Sequence, residues 1–308
     1  MKFELTKYYI QDISEKLERK DFKILKAELS ELHHADIAEL IEELDDQEGK
    51  LLFELFEDED SAEILIELDD ENREVVLEDL TSQEIAEMLI ENLDSDDAAD
   101  IIADLPSYKK EEVLAHIEDI DHASDIVDLL SYPENTAGGL MAKELIHVND
   151  KWSILRCVSE MRKQAEDVDK VYTIYVVDDN RILLGTLSLK KLLLSPEKNL
   201  IKNIYNEKVI SVKANFDDEE VANIMDKYDL IVLPVVDDLN RLIGRITIDD
   251  VVDVMKEEAM EDYNKASGIS EQVDSSDNIV TLTRARLPWL IIGLMGGIMG
   301  AQVMGIFD

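Results

Sequence analysis

Ile174-Tyr-Val-Val-Asp-Asp179 returns 59 residues later as Leu233-Pro-Val-Val-Asp-Asp238. The likeness continues: Gly185 matches Gly244, and Leu187-Ser-Leu-Lys-Lys191 matches Ile246-Thr-Ile-Asp-Asp250. In each copy a stretch of helical apolar period (151–164 and 217–228) leads into a β-rich run, a turn and a second strand. A helix then begins at the Ser or Thr position, Ser188 or Thr247. A duplicated unit of this order predicts an α/β pair over 137–200 and 201–256, and the rest of the chain is read outward from it.

Upstream, Ser131-Tyr-Pro133 is a loop signal that separates the pair from a different kind of repeat. Leu32, Leu44, Phe56, Leu68, Leu80, Leu93, Leu105 and Ile117 recur 12 or 13 residues apart. Such a period is one short helix per unit, and units of that size bury an apolar face only by stacking into a superhelical array, here over 1–131. Asp36, Ser61, Ser82 and Asp96 are the expected helix starts, since their side chains can cap orphan N–H groups. Between Glu31 and Tyr108 the array carries 29 Asp and Glu against two basic residues, Lys50 and Arg73. For most of these carboxylates the plain reading is a solvated face, and the adjacent His33 and His34 read as capping or surface residues.

Downstream, Asp249 to Lys265 reads as one helix, with 250, 253, 257 and 261 on one face by three/four spacing. A linker over Ser267 to Asn278 leads to Arg284 and Arg286 and then to an uncharged stretch, Leu287 to Phe307. That stretch has 21 residues, enough to span a bilayer as a single transmembrane helix over 284–308. Arginines on its N-terminal side place the preceding domains in the cytoplasm, and the Gly293/Gly297 and Gly296/Gly300 pairs allow close helix contact.

The formal net charge of −41 opposes binding to nucleic acid and anionic lipid, and its self-repulsion is relieved by divalent cations. An acidic surface suited to a salt-rich habitat is the alternative. The single cysteine, Cys157, excludes an internal disulfide and reads as packing in an apolar-periodic helix. His33, His34, His116 and His122 are scattered, and no Ser/His/Asp or Cys/His set is discernible, so the chain is not expected to be an enzyme.

The tandem unit resembles a pair of CBS modules. Such pairs often hold an adenine nucleotide, with a Thr-x-x-Asp contacting phosphate and ribose; Thr247 and Asp250 supply it here, while the first copy has Ser188 and Lys191. With the acidic array, Tyr132-Pro-Glu-Asn-Thr-Ala-Gly-Gly-Leu-Met141, the long acidic helix and Arg284-x-Arg-Leu-Pro-Trp289, the whole order resembles the cytosolic part of an MgtE-type magnesium transporter. The resemblance implies a membrane protein that forms a homodimer through its CBS and membrane regions. It also implies magnesium ions between the array, the CBS pair and a connecting "plug" helix that hold the pore shut when cytosolic magnesium is plentiful. Carried over by motif, the metal ligands are Glu63, Asp96 and Asp100 on the array, then the Gly138 carbonyl and Asp229. Asp250, Asp253, Glu258, Glu261 and Asp262 follow along the plug helix over 249–280. Asp250 is thus implied twice, for ribose and for metal. Magnesium is the expected cofactor, with an adenine nucleotide as a second one, in a cell (inner) membrane setting. Family members continue through five membrane helices, whereas this chain stops at Asp308, at the end of the first. The rival reading is a nucleotide-sensing CBS regulator or an interaction scaffold without a transport role.

Overall fold

The computed structural model describes residues 4–266 apart from 166, 167 and 169, together with positions 287, 291, 292 and 295. Their contacts divide them into two compact units, one from 1–216 with 233–246 and the other from 217–232 with 247–308. The expected membrane segment over 284–308 lies outside the described residues, save those four positions. Among the described residues no helix is long and apolar enough to cross a membrane.

The first unit opens with ten short helices. These are α1 (Lys7–Glu18), α2 (Phe22–Leu29), α3 (His34–Glu42), α4 (Asp46–Phe53) and α5 (Asp58–Glu67), then α6 (Asp70–Glu78) and α7 (Ser82–Glu84). α8 (Ser95–Asp104), α9 (Ser107–His116) and α10 (Ile120–Leu129) complete the array. α7 runs on through a π turn, Ile85–Leu89, and a 3-10 turn, Ile90–Asn92. Several contacts skip one helix, α3 lying on α5, α4 on α6, α7 on α9 and α8 on α10, while α1 packs on α2 and α4, and α3 also on α4. The twelve-residue series falls at the corners of this zigzag. Leu68, Leu93, Leu105 and Ile117 each end a helix in extended conformation, and all four are buried. The corner residue turns the chain and fills the core at once, which is why its spacing equals one helix plus one connection.

The helix starts differ from expectation. α3 is capped by His33 rather than Asp36, α7 by Thr81 rather than Ser82, and Asp94 rather than Asp96 precedes α8. Ser61 is not a start at all but a fully buried residue inside α5. Several polar residues in a row each fit a cap locally, and the one used is the residue that leaves the following apolar positions facing the core. His33 does cap, its Nδ1 accepting from the Ala35 amide at 3.3 Å.

The remainder of the first unit holds two small sheets. β1 (Ile146–Asn149) runs parallel to β2 (Ile174–Val177), which pairs antiparallel with β3 (Leu183–Leu187). α11 (Ile154–Gln164) connects β1 to β2, and α12 (Leu189–Leu194) follows β3, capped by Ser188. Ile146, Cys157, Ile174, Val176, Leu187 and Ile201 belong to the core of this module. Burial there pushes the Cys157 thiol up to about 11, leaving it protonated and inert at neutral pH.

The second sheet repeats the order with β4 (Val212–Lys213), α13 (Asp218–Lys227), β5 (Val232–Val236) and β6 (Leu242–Thr247). The repeat extends to the backbone: Arg181 and Asn240, at matching positions, both adopt positive φ, 63° and 59°. The two turns bond to each other, the Leu183 amide donating to Asn240 and the Leu242 amide to Arg181, each at 3.0 Å.

In the second unit α13 packs against α14 (Ile248–Ala266), the helix expected over 249–265. Thr247 starts it. Its amide and hydroxyl both donate to the Asp250 carboxylate, at 3.2 and 2.7 Å, which ties the end of β6 to the first turn of the helix.

Candidate metal centre

Within the first unit the start of α8 meets the segment that leads into β1. Ala142 and Arg245 exchange backbone hydrogen bonds of 2.8 and 2.9 Å, an isolated bridge that ties Ala142 to β6. Ser95, fully buried, donates to Glu144 through its hydroxyl at 2.9 Å and its amide at 3.2 Å. The same hydroxyl accepts from the Lys143 amide at 2.9 Å. Hydrogen bonds to a charged acceptor contribute about 1.5–3 kcal/mol each when made, so this is a firm joint.

The joint gathers three half-buried carboxylates. Asp94, Asp96 and Glu144 offer oxygens within 4.8 Å of one another, the one set of three metal-ligating side chains so placed among the described residues. All donors are oxygen, which suits a hard cation such as magnesium. Neighbouring ligands of a six-coordinate magnesium stand about 3 Å apart, so the trio fits an ion that keeps some of its water. Of the three, sequence reading singled out only Asp96. Asp94 was not singled out, the start of α8 being expected at Asp96, and Glu144 lies three residues beyond the Tyr132–Met141 motif, with no spacing signal to link it to the array.

The other expected ligands are placed as follows. Asp100 is one turn after Asp96 on α8. Glu63 lies on α5, its Oε2 3.9 Å from His34 Nδ1, while Asp60 sits 3.3 Å from the other ring nitrogen. Gly138 donates its amide to Ala214 at 2.8 Å, and a Cβ there would come within 2.4 Å of the Tyr132 ring. Only glycine fits that approach. In the second unit Asp229 follows α13 at φ 51°, a left-handed position that Asp tolerates. Asp250 is engaged by Thr247, and Asp253 pairs with Lys256 at 2.6 Å. Glu258 is half-buried on α14; the Glu261 and Asp262 side chains lie outside the described residues.

Beside the joint is a cleft of about 750 Å³, with Glu91, Asp119, Asp121 and Asp125 on its array side and Lys143 and His147 opposite. Burial lowers the His147 pKa, with Arg181 adding to the effect, so the ring is neutral at neutral pH. Burial raises the Asp125 carboxyl, and Lys143 offsets it only in part. A raised folded-state pKa means that the fold binds this proton more tightly than the unfolded chain, so the associated stability is present at low pH and lost as pH rises through the folded value. Asp125→Asn is therefore expected to raise the melting temperature slightly at pH 7, with a gain of roughly 0.5 kcal/mol or less. The gain should shrink as pH falls toward the ordinary Asp value of about 4 and vanish well below it, where Asp is protonated in both states. Melting curves of both proteins across that range check it.

Comparison with known proteins agrees with this architecture. Residues 32–135 match the model of the MgtE intracellular N domain, and residues 137–197 and 201–257 match that of the CBS domain. The magnesium transporter MgtE of Thermus thermophilus is 38% identical over 182 residues, 58% of this chain and 40% of the relative. That of Enterococcus faecalis is 34% identical over 181 residues, again 40% of its length. The chain thus spans well under half of these curated relatives. A solved cytosolic domain of the magnesium channel MgtE, in complex with ATP, is 33% identical with a TM-score of 0.73, covering 80% of this chain and 99% of the other. With both domain models matched in order and a cytosolic domain of this kind covered almost end to end, the chain belongs to the MgtE family, of which it carries the intracellular N domain and the CBS pair.

Proposed function

We propose that this chain is the magnesium-sensing cytosolic regulatory part of a magnesium transporter. It comprises an array over 1–131, CBS modules over 137–200 and 201–256, the plug helix, and a membrane anchor within 284–308. The observation that carries the reading is the Asp94, Asp96 and Glu144 trio, which joins array and CBS carboxylates in one oxygen-only set. A bound magnesium ion supplies the positive charge that lets such carboxylates stay close. The chain's own part is to hold them apart or together: two carboxylates about 5 Å apart repel by about 3 kcal/mol at an effective dielectric near 20. Many such pairs on a body of net charge −41 favour separation of the acidic surfaces, and cation binding favours closure. In this reading α14, with Asp250, Asp253, Glu258, Glu261 and Asp262, transmits closure to the membrane helices of a homodimer.

The test is hydrogen exchange of the full chain from EDTA to millimolar magnesium, with potassium at matched ionic strength as control. Saturable slowing over α8 and α14 that magnesium alone produces supports the sensor. Equal slowing with potassium, or none, reduces the acids to a screened surface and ends this reading. A second reading, adenine-nucleotide sensing, is favoured by Thr247 and Asp250 and by the ATP complex of the solved relative. Its mark would be ATP-dependent protection of the CBS strands in EDTA.

A further inference from the structure

The connection from α7 to α8 is irregular, and it ends at two carboxylates of the trio. The Ile90 amide donates to Ala86 and also back to Ile85, the five-residue step of a π turn. Such turns are rare and are frequent at functional sites. This one passes into the 3-10 turn Ile90–Asn92, then the buried corner Leu93, and then Asp94 and Asp96. Where a helix changes its step, backbone carbonyls lose amide partners and need other donors. Side chains supply them here. Asn92 Nδ2 donates to the Met88 oxygen at 3.0 Å. The Ile90 oxygen, whose bond from the Leu93 amide is long at 3.4 Å, lies 3.0 Å from Nε2 of His122 on α10. A carbonyl only accepts, so Nε2 carries the hydrogen of this bond. His122 is itself placed by Asp119, whose carboxylate accepts from the His122 amide at 3.2 Å in the first turn of α10. Glu91 reaches the same corner, its Oε1 accepting from the Glu118 amide.

We propose that His122 is a positioning residue for the magnesium site: by holding the Ile90 carbonyl it fixes where the irregular turn ends, and with it how Asp94 and Asp96 are presented. The inference rests on the magnesium reading of the Asp94, Asp96 and Glu144 trio and gives that site a determinant inside the array. A slip of the turn by one residue would move the two carboxylates by about 1.5 Å along the helix axis. Magnesium demands near-octahedral geometry and tolerates such a shift poorly. Groups that orient metal ligands without touching the ion commonly alter its affinity by about 10- to 100-fold.

The test is hydrogen exchange of the full chain, from EDTA to millimolar magnesium at constant ionic strength, on the parent and on His122→Ala, His122→Gln and His122→Asn. Glutamine brings an N–H to the place of Nε2, whereas asparagine is one carbon too short. In EDTA the amides of 91–94 should exchange about fivefold faster or more in the Ala and Asn variants, and at the parent rate in the Gln variant. The magnesium midpoint for slowing over α8 should rise about tenfold or more in Ala and Asn, and stay within about twofold of the parent in Gln. A merely structural role would not set Gln apart from Asn in this way. Unchanged exchange of 91–94 in His122→Ala overturns the proposal, as does a midpoint that Ala and Asn leave alone or that Gln raises as much as Asn does. If His122→Ala does not melt cooperatively, Gln against Asn decides by the same criteria. A parent chain without magnesium-specific slowing ends the sensor reading and this role with it, an outcome read from the parent alone.

Discussion

Gly185→Ala is expected to destabilise the first CBS module by about 3 kcal/mol, more than the matching change Gly244→Ala in the second. The two glycines occupy equivalent places in the repeat, yet they meet different obstacles. A Cβ at Gly185 would stand 2.1 Å from the Asn206 carbonyl oxygen and 2.7 Å from the Tyr205 ring. That oxygen is held in a bridge, accepting from the Thr186 amide at 3.0 Å while the Asn206 amide donates back at 2.8 Å. Backbone locked on both sides cannot withdraw without breaking the bridge. At Gly244 the first atom met is the Met141 sulfur at 2.6 Å, the end of a flexible side chain that can choose another rotamer, although the Ala142 oxygen follows at 2.9 Å. Urea unfolding of the two variants decides it. A drop in midpoint at unchanged slope, larger for Gly185→Ala, is the expected result. Equal losses would mean that the 205–206 segment yields as easily as a methionine side chain, and the packing argument for Gly185 would fail.

The same contrast shows how far the sequence could be read. The duplication was plain from Val-Val-Asp-Asp and its flanking glycines, and both copies fold to sheets of the same strand order. The array was plain too, because an apolar residue every twelve positions has no other compact solution. What the spacing did not reveal was the job of that residue. Leu68 and Leu105 end their helices in extended conformation, a role that spacing alone does not assign. Ser61 looks like a cap by type and is buried by position, a difference that only packing creates. The joint was least legible. Local propensity says nothing about partners 151 residues apart, so neither Arg245 nor Asp94, whose side chains hydrogen-bond, stood out. Glu144 was hidden for a similar reason, being one of 72 acidic residues in a chain where acid carries little information.

The largest functional effect is expected from Asp96→Ala combined with Asp100→Ala. The two carboxylates lie one turn apart on α8, so they share a face of the helix. Alanine is the best helix former, and the joint formed by Ser95, Glu144 and Arg245 is left in place, so α8 should persist. The change therefore separates ligation from folding more cleanly than substitution at Asp94 would. By mass action, one site held at ten times its dissociation constant contributes about 1.4 kcal/mol to the closed state. Four such sites give about 5.5 kcal/mol, near what a two-state element needs to pass from almost fully open to almost fully closed. Loss of even one shared site then moves the balance substantially. In the double variant the magnesium-specific slowing of exchange over α8 should disappear, or its midpoint should rise about tenfold or more. Glu71→Ala with Glu74→Ala removes the same charge from α6 and serves as the control, since bulk screening would respond to either pair alike. A response lost in the first pair and kept in the second assigns magnesium to α8. Equal effects of the two pairs would show that the array senses ionic atmosphere rather than a bound ion, and the ligand assignment would have to be abandoned.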